Sequence, residues 1–210
     1  MTRSPTKRPY HHGDLKRALL DAALELLQEN GVEGLTVAEI GRRVGVSSAA
    51  PYKHFADRHA LLRALALDGN RLLNEKIAER VGSATDPEEA FRLSGVAYIR
   101  FAAENPALFR LMSDPSLLDY GAPPDDLEAP ENLQDAMKTF WSDLGGLLRS
   151  GAAAAADDPL LEQLRGRALA LGVASLFVSG VFGALGISID DAERIAHASL
   201  GGDLPARARD

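Results

Sequence analysis

The chain has 210 residues, no cysteine, and ordinary globular fractions of hydrophobic (46%) and charged (25%) residues. This composition excludes disulfides and thiolate metal sites, fits a cytoplasmic protein, and allows one large domain or two modest ones around a buried core. Its net charge of −7 argues against nucleic acid only until the distribution is read: residues 1–63 hold ten Lys/Arg against seven Asp/Glu (+3), and the remainder thirteen against twenty-three (−10).

Such asymmetry is the footprint of a DNA-facing end attached to an acidic body. Residues 1–13, MTRSPTKRPYHHG, contain two prolines and no helical period or continuous apolar run, so they read as a flexible basic arm rather than a signal peptide. Arg3, Lys7 and Arg8 would follow phosphates or enter a minor groove. His11 and His12 have no third ligand at metal-binding spacing, so no metal site is expected. From Asp14, Leu15, Leu19, Ala22, Ala23, Leu26 and Leu27 form one helical stripe, which Gly31 ends.

Signals are densest over residues 36–63. Thr36 and Glu39 have the spacing of a capping box opening a short helix to Arg43, with Val37, Ile40 and Val44 on one face. Gly45 is suited to the left-handed turn that stops it. Ser47 is placed to cap a second short helix carrying Ser48, Ala49, Ala50, Tyr52 and Lys53, which Phe55 closes against the core. Asp57 caps a third helix. The expected core is Leu19, Leu26, Leu35, Val37, Ile40, Val44 and Phe55. Two short helices joined by a glycine turn and flanked by basic residues read as a helix-turn-helix. Ser47, Ser48, Ala49 and Ala50 would offer hydroxyl and methyl contacts in a major groove, while Tyr52, Lys53, His54 and Arg58 would reach phosphates; Thr36 is a further candidate DNA-binding residue. The competing reading is a helical pair used only for packing.

The stretch resembles the DNA-binding domain of the tetracycline-repressor-like (TetR) family of transcriptional regulators. Ala22-Ala23, Leu26, Gly31, Leu35-Thr36, Ile40, Gly45-Val46-Ser47, Tyr52, His54-Phe55 and Leu61-Leu62 match in order and spacing across residues 14–63. Pro51 departs from the family, which usually has an aliphatic residue there. The resemblance implies an all-α fold: a three-helix helix-turn-helix domain over 14–63, then a larger helical effector-binding and dimerisation domain over 64–210. It also implies a ligand-responsive repressor, with a homodimer on a palindromic operator in double-stranded DNA, and neither enzymatic activity nor a cofactor.

In that larger domain the helix from Asp57 is expected to continue to about Val81, a lever shared by both domains. Asp86-Pro87 opens an amphipathic helix burying Phe91, Val96, Ile99 and Phe101 and exposing Glu88, Arg92 and Glu104. Pro106 restarts a short one. Residues 113–130 hold four prolines and read as a lid or a disordered loop. Further helices are expected over 131–150, from Pro159 to about Gly186, and from a cap at Asp190. Tyr98, Phe101, Phe109, Met112, Phe140, Trp141 and Phe177 are the candidate lining of a pocket for a largely apolar effector, ordinary core being the alternative for each.

Ala168 to Ile189 carries no charge and is long enough to span a bilayer. It is solitary, lacks interfacial Trp or Tyr, and is interrupted by serines and glycines, so no membrane partner is expected. Ala168, Gly172, Ser175, Ser179 and Gly183 form a small-residue stripe that would let another helix approach closely. In the family resembled, the last two long helices of each subunit form the dimer interface. An enzyme finds little support, because no nucleophile elbow, phosphate loop or zinc motif occurs, and the paired acids Asp125-Asp126 and Asp157-Asp158 lie beside prolines.

Overall fold

The computed structural model describes residues 12–117 and 159–199. Most of the basic arm, the stretch from 118 through the expected 131–150 helix, Phe140, Trp141 and the C-terminal end lie outside the described residues. Every regular element among those described is helical. The chain divides into two compact units, Met1–Asp68 and Gly69–Asp210.

The first unit opens with α1 (His12–Asn30). Its stripe is buried as the 3.6-residue period requires, with Leu19, Ala23, Leu26 and Leu27 all at most 2% exposed. Gly31 ends it at φ 70°, and a 3-10 turn over Val32–Gly34 follows, which the sequence pattern does not signal. α2 (Val37–Val44) packs on α1. Its end is a Schellman arrangement: Val46 N–H donates to Gly41 O at 3.1 Å, Gly45 N–H to Arg42 O at 3.2 Å, and Gly45 takes φ 76°. Leu35, Val37, Ile40 and Phe55 complete the core; Val44, expected there, is only half-buried because it lies on the last turn beside solvent.

α3 (Arg58–Val81) begins where Asp57 Oδ1 accepts from Ala60 N–H at 2.8 Å, and it runs across the division between the units. At the end of the first unit the buried Asp68 carboxylate accepts from Arg17 Nη1 on α1 at 2.8 Å. Arg17 also holds Asp21, and these hydrogen bonds, Asp21's first, raise its affinity for its proton.

In the second unit, α4 (Pro87–Glu104) is capped by Asp86, whose Oδ1 accepts from Glu89 N–H at 2.9 Å. Glu89 reaches back to Thr85 N–H at 2.7 Å, a bond that lowers the pKa of its carboxyl. Val96, Ile99 and Phe101 are buried as the period requires, whereas Phe91 and Arg92 are half-buried. α5 (Pro106–Met112) follows directly, and α4 packs against α6 (Pro159–Val178) and α8 (Ile189–Ser199). A Cβ on Gly166 would lie 2.5 Å from Phe91 Cε1, so any side chain there would displace the Phe91 ring where α6 meets α4.

The expected single helix from Pro159 to Gly186 is instead broken. Gly180 at φ 80° ends α6, and a four-residue α7 (Val181–Ala184) follows before Gly186 turns the chain again. The uncharged stretch is thereby divided, and among the described residues no helix is long and apolar enough to cross a membrane. Nor does Asp190 cap the last helix. The helix opens at Ile189, one residue earlier, and Ser188 is its cap: Ser188 Oγ accepts from Asp191 N–H at 3.4 Å while Ser188 N–H donates to Asp191 Oδ2 at 3.1 Å, a Ser-x-x-Asp box.

Candidate nucleic-acid interface

The candidate interface lies on the first unit, where α2 presents residues 47–54. Thr36 caps α2 through Oγ1, which accepts from Glu39 N–H at 3.1 Å. The reciprocal half of the expected box is replaced: the Glu39 carboxylate grips Arg42 at 2.9 and 2.6 Å. Arg43 similarly clamps α2 to α1, donating to both Glu29 oxygens at 2.7 and 2.5 Å and lying 3.3 Å from Glu25. Hydrogen bonds from Arg43 and Arg42 hold the Glu29 and Glu39 carboxyls below their ordinary pKa. Both arginines of α2 are thus committed to acids.

Past Gly45 the structure corrects the expected second α-helix. Residues 48–50 form a turn, and Pro51–Lys53 a single 3-10 turn. Ser47 acts through its carbonyl, which accepts from Ala50 N–H at 3.0 Å, while His54 N–H and Phe55 N–H both reach Pro51 O. The cause is Pro51, which has no N–H to donate back to Ser47, so the segment closes with tighter i→i−3 bonds. Its ring is almost fully buried and lies where a Cβ on Gly41 would be, 2.5 Å from Cγ.

Two buried anchors, Pro51 and Phe55, therefore hold the segment down and leave its other side chains outward. Ser47, Ser48, Ala49, Tyr52 and Lys53 are exposed, Tyr52 by 51%, while Ala50 and His54 are half-buried. Among the described residues no acid pairs with Lys53, so its charge is available to a phosphate. Thr36 is also exposed, and its oxygen's role as cap leaves the O–H proton for a partner.

Arg58 is engaged differently from expectation. Its Nε donates to Leu35 O at 2.9 Å and its Nη2 to Val32 O at 2.6 Å, tying the start of α3 to the 3-10 turn. Arg58→Ala should lower the stability of the folded protein by about 1–2 kcal/mol, discounted for solvent exposure. Urea denaturation followed by circular dichroism measures it; unchanged stability would mean these carbonyls are served equally well by water.

The apolar candidates of the second unit are placed less uniformly. Phe101, Phe109 and Met112 are buried, and Tyr98 meets Phe109 edge-on at 5.3 Å. Met112 and Leu108 pack over Gly69, where a Cβ would lie 2.8 Å from Met112 Sδ. Phe177 instead pairs with Phe182 at 4.6 Å. Ala168, Gly172 and Ser175 lie exposed along α6, Ser179 in the turn that follows it, and Gly183 on α7. A cleft between α5 and α6 lined by Arg110 and three serines had no sequence signal: its two sides are more than 60 residues apart, and Arg110 reads as a solvated cation.

A compact helical head presenting an exposed turn from a glycine-stopped helix, followed by a body whose described elements are all helical, is the arrangement of a helix-turn-helix DNA-binding transcriptional regulator. Residues 19–65 match the profile described as "Bacterial regulatory proteins, tetR family", and residues 91–200 that described as "Tetracyclin repressor-like, C-terminal domain". The chain belongs to the tetR family, which is not enzymatic.

Curated relatives include the HTH-type transcriptional regulator BetI of Klebsiella pneumoniae (strain 342), 32% identical over 81 residues, covering 39% of this chain and 42% of BetI. The tetracycline repressor protein class A from transposon 1721 of Escherichia coli is 38% identical over 84 residues, covering 40% of this chain and 38% of that one. The chain thus aligns with about half or less of these relatives' lengths. Among solved structures, a protein of unknown function from Rhodococcus sp. RHA1 superposes with a TM-score of 0.64 at 29% identity, covering 95% of this chain and all of that one. A TetR family transcription regulator from Marinobacter aquaeolei VT8 superposes at 0.56 and 20% identity over 89% of this chain and 93% of that one, a likeness of fold alone.

Proposed function

We propose that the protein is a cytoplasmic, ligand-responsive repressor that binds a palindromic operator as a homodimer. The observation that carries this reading is the outward turn over residues 47–53, pinned from beneath by Pro51 against Gly41. Ser47, Ser48, Ala49 and Ala50 read base edges; Thr36, Tyr52, Lys53 and His54 meet phosphates. Arg58 contributes by bracing the start of α3. The likeness to a tetracycline repressor supports repression rather than activation.

Two copies are needed because one head reads only half of a palindrome, and the halves lie roughly 34 Å apart. The seam we assign to the exposed faces of α6 and α7. There Leu169, Leu171, Leu176 and Val181 flank the small-residue stripe, and Leu185 beyond them is 69% exposed. A largely apolar effector held in the second unit near Tyr98, Phe101, Phe109 and Met112, with Phe140, Trp141 and Phe177 as further candidates, would favour one spacing of the two heads over another.

Selection of random duplexes by the purified protein tests this, the expected product being a palindrome with half-sites about one helical turn apart. Tyr52→Ala with Lys53→Ala should weaken binding to the selected duplex about a hundredfold and flatten its salt dependence. Selection of no palindrome, or an unchanged affinity in the double variant, would overturn the reading.

A further inference from the structure

A cavity of about 290 Å³ opens between α5 and α6, lined by Phe109, Arg110, Ser113, Ser175, Val178 and Ser179. Its charge is set by one cation. Elsewhere in the same unit Arg71, Arg100 and Arg194 each face a carboxylate of their own helix. Arg110 instead donates through Nη2 to the main-chain carbonyl of Val178, at the end of α6, and among the described residues no carboxylate is bonded to it. That bond fixes the guanidinium while leaving most of its N–H groups for another acceptor.

The serines complement it. Ser113 Oγ donates to Phe109 O at 2.9 Å, Ser175 Oγ to Leu171 O at 2.7 Å and Ser179 Oγ to Leu176 O at 3.3 Å. With their protons turned to their own helices, the three oxygens keep lone pairs for a ligand N–H or O–H. Phe109 and Val178, both buried, supply apolar wall.

We propose that this cleft binds a small carboxylate with an apolar body and that Arg110 selects the acid, an inference that rests on the ligand-responsive reading above. A planar carboxylate matches a guanidinium edge in a bidentate pair, which a hydroxyl or amide does not. A dianion is disfavoured, because a single cation beside the carbonyl end of α6, the negative pole of its dipole, compensates only one charge. The volume sits at the lower end of ligand sites, about 300–1,000 Å³, and so suits a small acid. Ser175 and Ser179 also belong to the small-residue stripe assigned to the dimer seam, so a bound acid would sit at that seam and its binding would be coupled to association.

The test uses the full-length protein with hexanoate, octanoate, decanoate and benzoate against their primary amides, by thermal shift and calorimetry. At least one acid should bind about tenfold or more tightly than its amide and raise the melting temperature. Arg110→Gln should remove that preference and Arg110→Lys retain part of it. Because Arg110 also caps α6, Ser113→Leu, which fills the cleft and leaves the Val178 bond in place, should abolish acid binding in a folded protein. Equal binding of acids and amides, or acid binding unchanged in Arg110→Gln and Ser113→Leu, would overturn the site. If that occurs with operator binding intact, the acid site alone falls; acid selectivity without any operator would instead remove the regulator reading and leave the site.

Discussion

Gly172→Arg is expected to convert the protein from a dimer to a monomer and to weaken operator binding by about a hundredfold or more. Gly172 lies within α6, is exposed, and among the described residues a Cβ there would meet nothing within 4 Å. A mid-helix glycine costs about 0.5–1 kcal/mol relative to alanine, and no described residue of the same chain packs where its side chain would be. Close approach of a second helix would offset that cost. An arginine at this position is accommodated by the isolated chain and excluded by a partner backbone, so the damage falls on association rather than folding. Analytical ultracentrifugation gives the first readout, and titration of the selected duplex the second. Gly172→Ala serves as the control: its methyl should stabilise the helix slightly and shift dimerisation far less. A Gly172→Arg protein that stays dimeric with full operator affinity would move the seam off α6.

The parts of the fold legible in the sequence are those decided by neighbours along the chain. Thr36 and Asp57 announce helix starts because a cap and its N–H target lie within one turn, and each caps as its spacing predicts. Gly31 and Gly45 announce stops for the same local reason. The break at Gly180 was hidden because the chain is apolar on both sides of it, so periodicity carried no contrast, and glycine is common inside such stretches. Arg58 and Arg110 show a different limit. Each looks like a surface cation in sequence, yet each is held by main-chain carbonyls 23 or more residues away, a relation no local pattern encodes. In the candidate interface the exposed set was readable from residue type, but its backbone was not. Pro51 at the fourth position after Ser47 was compatible with an α-helix, whose first bond alone it removes; the structure instead closes the segment as a 3-10 turn with the proline ring buried over Gly41.

That packing makes Gly41→Ala the sharpest test of the interface. Helix propensity alone favours alanine by about 1 kcal/mol, since Gly41 lies inside α2. Sterics oppose it more strongly: the new Cβ would sit 2.5 Å from Pro51 Cγ and 3.4 Å from Cδ. A flexible side chain could swing aside, but a buried pyrrolidine ring cannot, so the recognition turn itself must move. The expected net loss is about 1–3 kcal/mol of stability, with operator affinity down about tenfold to a hundredfold because Tyr52 and Lys53 move with the ring. Pro51→Ala separates the two causes. Alone it should cost stability by removing buried ring atoms. Combined with Gly41→Ala it should cost less than the sum, with a coupling of about 1 kcal/mol or more, as expected for residues in direct contact. Additive losses in the double variant would mean that Gly41 is constrained by something other than the proline. Wild-type stability and operator affinity in Gly41→Ala would mean that the turn tolerates displacement, and that its bases are read by a looser segment than the one seated on α2.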